Sequence, residues 1–262
     1  MRKVRVEIGL VALSTLASIA ILGLFVPLLG IYLKLKPEYV REYILPEPYR
    51  SEILSALKVS LIASIIAVLI LIIVGVPLAY ILARFEFPLK SIVQGLVDLP
   101  LVIPHAVSGI LILSAYGSSG LLGPLLGRAG LRIEDSYAGI IAVMTFVSAP
   151  LLVDTVKVGF ESIPESLVAV ARSLGARRSQ ALLHVELPLA FRHVMAGALM
   201  AWARGLSEVG ALLIVAYYPK TINILIIEFF DVLGLGPAIA LSALYLLLIL
   251  IIFIILRKVI SL

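Results

Sequence analysis

Of 262 residues, 62% are apolar and only 14% charged, against about 45–50% and about 25% in soluble chains, and the mean hydropathy is +1.17. A soluble core of this size could not hide so much apolar surface, so the composition indicates an integral membrane protein and excludes a disordered chain, a secreted disulfide scaffold and a nucleic-acid module. The net charge of +5 then points to loop bias rather than a DNA partner, and the absence of cysteine removes thiolate catalysis, thiolate metal sites and disulfides.

A helix crosses the hydrocarbon core with about 20 apolar residues. Six stretches reach that length, near Ile8–Leu33, Ser55–Leu82, Leu96–Tyr116, Tyr137–Gly159, His193–Ala216 and Ala238–Leu256. The expectation is an all-α membrane protein, a single transmembrane domain over residues 1–262 with six spans. The first stretch exceeds the about 7–15 apolar residues of a cleavable signal, and no small-residue cleavage site follows it, so it is expected to be retained. Residues 34–54 form a polar loop with Pro37, Pro46 and Pro48. In the third span Pro100 and Pro104 stand one turn apart and free the carbonyls of Leu96 and Pro100. They predict a bend near one membrane surface, either an ordinary loop-to-helix entry or a hinge lining a path. His105 follows, as a satisfied interfacial histidine or a ligand.

The glycine-rich loop 117–136 holds Gly117-Ser118-Ser119-Gly120, the serine string of an intramembrane protease. A serine nucleophile needs a histidine in hydrogen-bond reach, and the spans place His105, His184 and His193 far from it. In the fourth span Asp154 and Lys157, at i and i+3, are expected to pair.

The loop at 160–192 is the most organised. Ser162-Ile163-Pro164-Glu165 fits a capping box. Ile163, Leu167, Val170 and Leu174 then recur at helical spacing as one apolar stripe. Gly175 suits the left-handed turn that ends a helix. A second short helix is expected over Arg178–Glu186, closed by Leu187-Pro188. At about 18 Å the first helix is too short to cross a membrane. Such a hairpin either lies on anionic lipid or offers its stripe to a groove of a soluble partner, with Arg177 and Arg178 at the junction.

In the fifth span Arg204 and Glu208 sit at i and i+4. Ionisable groups in spans are costly and become functional candidates: the pair either packs spans together or gives positive potential to an anion path. Gly197, Ala201 and Gly205 form a small-residue ridge for close helix contact. The apolar run Ile222–Phe230 is too short to span, and suggests a re-entrant or surface helix. With both termini inside, twelve Lys and Arg residues fall in inner segments, among them Arg2, Lys3, Arg5, Arg84 and Arg192, against seven outside. That favours cytoplasmic termini and a cytoplasmic hairpin between the fourth and fifth spans.

At this hairpin the chain resembles importer permeases of the ATP-binding-cassette class. Their inner-loop motif is Glu-Ala-Ala, three residues, Gly, nine residues, Ile-x-Leu-Pro. Here Ala169-Val170-Ala171 precede Gly175 by the same spacing, and Val185-Glu186-Leu187-Pro188 follow. The leading glutamate is Ala169, so its contribution is missing or moved to Glu165. Asp98-Leu99-Pro100-Leu101-Val102-Ile103-Pro104, continuing to Gly109, resembles the third-span entry of molybdate, tungstate and sulfate permeases. Ala203-Arg204-Gly205-Leu206-Ser207-Glu208-Val209-Gly210-Ala211 resembles their fifth-span motif, and His105 departs from what looks like a second proline.

The resemblance implies a plasma-membrane permease subunit of an importer for tetrahedral oxyanions. Molybdate or tungstate is the first expectation and sulfate or thiosulfate the alternative. Two copies would pair as a homodimer in the lipid, with two ATPase subunits and an external oxyanion-binding protein; no nucleic acid, cofactor or metal is implied. Glu165, Ala169, Ala171, Gly175, Arg177, Arg178, Leu187 and Pro188 would meet the ATPase. Pro100, Pro104, His105, Arg204 and Glu208 are the candidates for the path or gate. No Gly-x4-Gly-Lys-Ser/Thr loop exists, so ATP hydrolysis would belong to another chain and this one is not an enzyme. An autonomous channel or secondary transporter is the rival, and it would leave the hairpin without a purpose.

Overall fold

The computed structural model describes the backbone of residues 2–261 and the side chains of residues 9–258. The side chains of Arg2, Lys3 and Arg5, and the termini Met1 and Leu262 whose placement was expected to be cytoplasmic, lie outside the described residues. Among those described, every regular element is helical.

Contacts divide the chain into two compact units, Met1–Arg50 with Ile226–Ile249, and Ser51–Leu225 with Leu250–Leu262. The first holds α1 (Arg2–Leu33) and α2 (Pro37–Tyr43). Tyr49 stacks obliquely near Tyr43 and edge-on to Phe229, with ring centroids 5.8 and 5.7 Å apart.

In the second unit α3 (Tyr49–Arg84) and α7 (Tyr137–Glu161) are long single helices. The α3 residues Val59, Ala63, Ala67 and Leu71 recur at four-residue steps and are buried, which gives one packing face. One core cluster joins that face to Ile140, Val143 and Met144 of α7 and to Leu212 and Val215 of α11 (Leu212–Val215). A second joins Leu71, Ala79 and Leu82 to Leu152, Val156 and Phe160 of α7 and to Ala190, Val194 and Ala198 of α10 (Leu187–Leu206). Where α7 meets α10 there is no room for larger residues. A Cβ on Gly197 would lie 3.2 Å from the Leu152 carbonyl oxygen, and one on Gly159 would lie 2.5 Å from the His193 Cβ.

Four helices are long and apolar enough to cross a membrane: Gly9–Leu33, Tyr49–Arg84, Tyr137–Glu161 and Leu235–Lys258, the last within α13 (Leu235–Ser261). The other two expected spans are interrupted. The third consists of α4 (Lys90–Val102) and α5 (His105–Tyr116). Proline 104 holds Ile103 extended at φ −76, ψ 143 and so breaks the helix, while Pro100 is accommodated inside α4. The fifth ends as α10 at Leu206 and resumes only in α11. The freed polar groups are met by side chains: Asn223 Nδ2 donates to the carbonyls of Leu206 and Glu208 at 2.6 and 3.1 Å, and Glu208 Oε1 accepts from the Ala211 N–H at 2.9 Å. Asn223 lies on α12 (Ile222–Glu228), whose continuation Phe229–Leu233 is a π turn. The expected short helix is therefore present, and Ile222, Ile224 and Leu225 are buried in protein rather than laid on a surface.

The hairpin departs from the expected pattern at both ends. The helix α7 runs on through Glu161, so Ser162 closes it and its hydroxyl donates back to the Gly159 carbonyl at 2.8 Å. The cap of α8 (Glu165–Ser173) is Pro164, with no side-chain bond, and the expected capping box does not form. Nor do Leu187 and Pro188 end the second helix. From α9 (Arg178–Ala181) the chain passes through a π turn at Leu182–Glu186 directly into α10. Proline 188 falls at the start of α10, just past that turn, where a regular helical donor is not required.

Candidate functional site

The hairpin turns at Gly175, whose φ of +93 is the left-handed conformation glycine adopts without strain. Beyond it the Gln180 Oε1 accepts the Arg177 N–H at 2.7 Å and caps α9. The apolar stripe of α8 is out in the open: Leu167, Val170 and Leu174 are 46, 58 and 84% exposed, and only Ile163 is buried. Glu165 and Ala169, one turn apart, face a cavity of about 410 Å³ shared with Arg84, Arg172, Arg178 and Glu186. Ala171 and Leu187 are half-buried, whereas Arg177 and Pro188 are exposed. Thus the expected coupling residues fall along one short hairpin.

Two residues at this place escaped the sequence reading. Glu186 is 1% exposed and ends the π turn. Its Oε1 accepts from Arg84 Nε at 2.7 Å and its Oε2 from the Tyr80 hydroxyl at 3.2 Å. The same guanidinium donates through Nη2 to the Ile163 carbonyl at 3.1 Å. The Arg178 guanidinium lies over the Phe85 ring, 4.1 Å from its centroid. Glu186 is the single acidic residue in the apolar run from Ala181 to Ala190, a signal the sequence did carry.

The second site lies where the break between α4 and α5 meets the end of α10. His105 opens α5, and its Nδ1 stands 2.7 Å from Glu208 Oε2. Arg204 Nη1 donates to that same oxygen at 3.0 Å, and Arg204 Nη2 lies 3.3 Å from His105 Nδ1. An ionised carboxylate only accepts, so His105 carries its proton on Nδ1 in this pairing. Glu208 is fully buried while the His105 side chain is 55% exposed, so the cluster has one dry side and one open side. The Arg204–Glu208 pair expected along one helix forms instead across its end, because Glu208 lies past Leu206. Close approach of the two breaks depends on glycine: a Cβ on Gly210 would lie 2.7 Å from the His105 Cβ, and one on Gly109 2.9 Å from the Ala211 carbonyl oxygen. Pro104 stands at the break as the residue before α5, and Pro100 lies one turn earlier inside α4.

Asp154 and Lys157 meet through a third residue rather than directly. Gln94 Nε2 donates to Asp154 Oδ1 at 2.8 Å and to Asp98 Oδ1 at 3.1 Å, and Gln94 Oε1 accepts from Lys157 Nζ at 3.0 Å. The Ser118 hydroxyl donates to Glu134 Oε1 at 2.8 Å, so the serine string serves a loop contact. The Ser118 backbone N–H, 2.6 Å from that oxygen, holds the Glu134 carboxyl below its ordinary range. Among the described residues no group of three or more His, Cys, Asp or Glu could hold a metal ion.

Residues 75–261 match the family described as binding-protein-dependent transport system inner membrane component. The chain is 44% identical over 250 residues to the molybdate/tungstate transport system permease protein WtpB of Thermococcus kodakarensis, covering 93% of this chain and 95% of that one. It is 32% identical over 165 residues to the sulfate transport system permease protein CysT of Salmonella typhimurium, covering 63% and 60%. Its fold is similar to a crystal structure of a bacterial ABC transporter involved in import of the acidic polysaccharide alginate, with TM-score 0.70 at 19% identity over 96% of this chain and 95% of that one.

Proposed function

Because the chain belongs to the family of binding-protein-dependent transport system inner membrane components, we propose that it carries molybdate or tungstate across the membrane as the permease subunit of an ATP-driven importer. The observation that carries this reading is the near full-length likeness to a molybdate/tungstate permease. Sulfate permeases match less of the chain at lower identity, which ranks sulfate or thiosulfate second.

In this reading the whole chain is one transmembrane domain of six spans: α1, α3, the pair α4 and α5, α7, the pair α10 and α11, and α13. Both termini and the hairpin face the cytoplasm. Two copies pair, each seats its hairpin in a separate ATPase subunit, and an external binding protein delivers the anion. The exposed stripe of Leu167, Val170 and Leu174 supports a soluble partner at the hairpin, since an amphipathic helix docks through such i, i+3, i+7 anchors. Closure of the ATPases on ATP favours one arrangement of the spans over the other by differential binding.

The cluster of His105, Arg204 and Glu208 serves as the gate. Interrupted helices at membrane depth are tolerated where they line a cavity or are buried in protein, and both interrupted spans break at this cluster. A tetrahedral dianion and the Glu208 carboxylate compete for the same Arg204 guanidinium, so arrival of the anion loosens the pair that joins the two breaks. Pro104 fixes where the third span breaks, and Pro100 stays within α4.

A mild-detergent pull-down of the tagged chain tests the class. A stoichiometric ATPase, with hydrolysis stimulated by the loaded binding protein, is the expected result; a chain that recovers none points to an autonomous channel or carrier. Replacing Arg204 by alanine is expected to cut oxyanion uptake by about ten-fold or more while the ATPase stays bound, the scale of losing one charged hydrogen bond. Loss of the folded complex would instead assign Arg204 to packing.

A further inference from the structure

We propose that Arg84 and Glu186 are the positioning pair through which movement of the hairpin reaches the second and fifth spans. The proposal rests on the importer reading above and goes beyond it by naming the link between ATPase contact and spans.

Arg84 is the last residue of α3, and one guanidinium holds both roots of the hairpin. Its Nε donates to Glu186 on the rising arm, and its Nη2 donates to the Ile163 carbonyl just before the descending arm begins. Both ends of the pair are dry, with the Arg84 side chain 8% exposed and that of Glu186 1%. Burial of two charges is costly unless each is paired and hydrogen-bonded. Here both Glu186 oxygens are used, the second by the Tyr80 hydroxyl one turn before Arg84. The Tyr80 ring packs edge-on to Phe160 at the end of α7, with centroids 5.2 Å apart.

Backbone geometry points the same way. A π turn admits one extra residue and re-aims the side chains that follow, and the turn Leu182–Glu186 ends on the buried carboxylate. Beyond Glu186 the chain continues without a loop into α10, which carries Arg204. Glu186 is therefore the point at which one continuous helix leaves the hairpin, and Arg84 ties that point to the end of α3. A hairpin displaced by a partner cannot move its roots without moving α3 and α10 or breaking this pair.

The test uses the complete complex with its copurifying ATPase in proteoliposomes, and reads tungstate taken up per ATP hydrolysed in the presence of the binding protein. Removing one charge strands the other in a dry site, so the informative variant removes both: Arg84→Met with Glu186→Gln. The expected result is a complex that assembles and hydrolyses ATP but moves about five-fold less tungstate per ATP. Arg84→Lys is the second variant. It keeps the charge but cannot reach Glu186 and the Ile163 carbonyl together with the geometry of a guanidinium, and the same ratio is expected to fall. An unchanged ratio in either assembled variant overturns the proposal. A wild-type chain that recovers no ATPase overturns the importer reading itself, and is distinguishable because it precedes any variant.

Discussion

Gly175 turns the hairpin at φ +93 with nothing within 4 Å of where its Cβ would stand, so the cost of a side chain there is conformational alone. Gly175→Ala is expected to weaken the turn by about 1–2 kcal/mol, and Gly175→Asn by less, since asparagine enters the left-handed region more readily. ATPase recovered by pull-down should then decline in the order Gly, Asn, Ala; equal recovery would separate the turn from docking. Glu134 gives a pH-dependent contact on another loop. Its carboxylate is held below the ordinary value of 4.5 by the Ser118 N–H, so the contact contributes fully above 4.5 and is lost as pH falls through the lower folded value. The protection of the Ser118 amide, measured against its intrinsic exchange rate at each pH, should accordingly fall only below pH 4.5, and Glu134→Gln should remove that dependence. The two residues differ in how they could be read from sequence. Gly175 answers a local backbone need and was legible. Arg84 and Glu186 are 102 positions apart, and nothing local to either names its partner.

At the scale of elements, the seam between α7 and α10 is set by absent side chains. Gly159→Ala brings a Cβ to 2.5 Å from the His193 Cβ, which has no free end to swing away, and overpacking of this kind costs about 1–3 kcal/mol. Thermal unfolding in detergent should show it as a lowered midpoint, whereas Gly127→Ala, in open space on α6 (Gly123–Arg128), should leave the midpoint in place. The long helices were legible because about 20 apolar residues leave few alternatives in a membrane. The break between α4 and α5 was legible through Pro104, whereas Pro100, read the same way, is accommodated inside α4. The break after Leu206 was not, because its orphaned carbonyls are met by Asn223 from a later helix. The same blindness to context explains the hairpin ends. Ser162 reads as the start of one helix and is the end of another, and Leu187-Pro188 reads as a stop but follows a π turn that carries the helix past it.

For the whole molecule, composition alone set the class, and the structure adds how much apolar surface is left open. The window of highest hydropathy in α1 is entirely unburied, and α13 buries only 17% of its own. Surface of this extent requires lipid, a second copy, or both. Native mass spectrometry of the detergent complex is expected to give two copies of this chain with two ATPases. A single copy would remove the paired arrangement while leaving the permease assignment intact. The candidate gate was partly legible too. Arg204 and Glu208 stood out as charges inside a span, but that His105 completes the cluster followed only from the meeting of two broken helices.

The passage from Arg178 through the π turn to Leu206 contains no loop, so the chain from the hairpin to Arg204 is one continuous helical rod. From Glu186 to Arg204 it rises about 27 Å, close to the thickness of a hydrocarbon core. Glu208 is joined to the same rod two residues past its end, so a tilt carries both partners of the 3.0 Å Arg204–Glu208 pair together, and only a change in the break after Leu206 parts them.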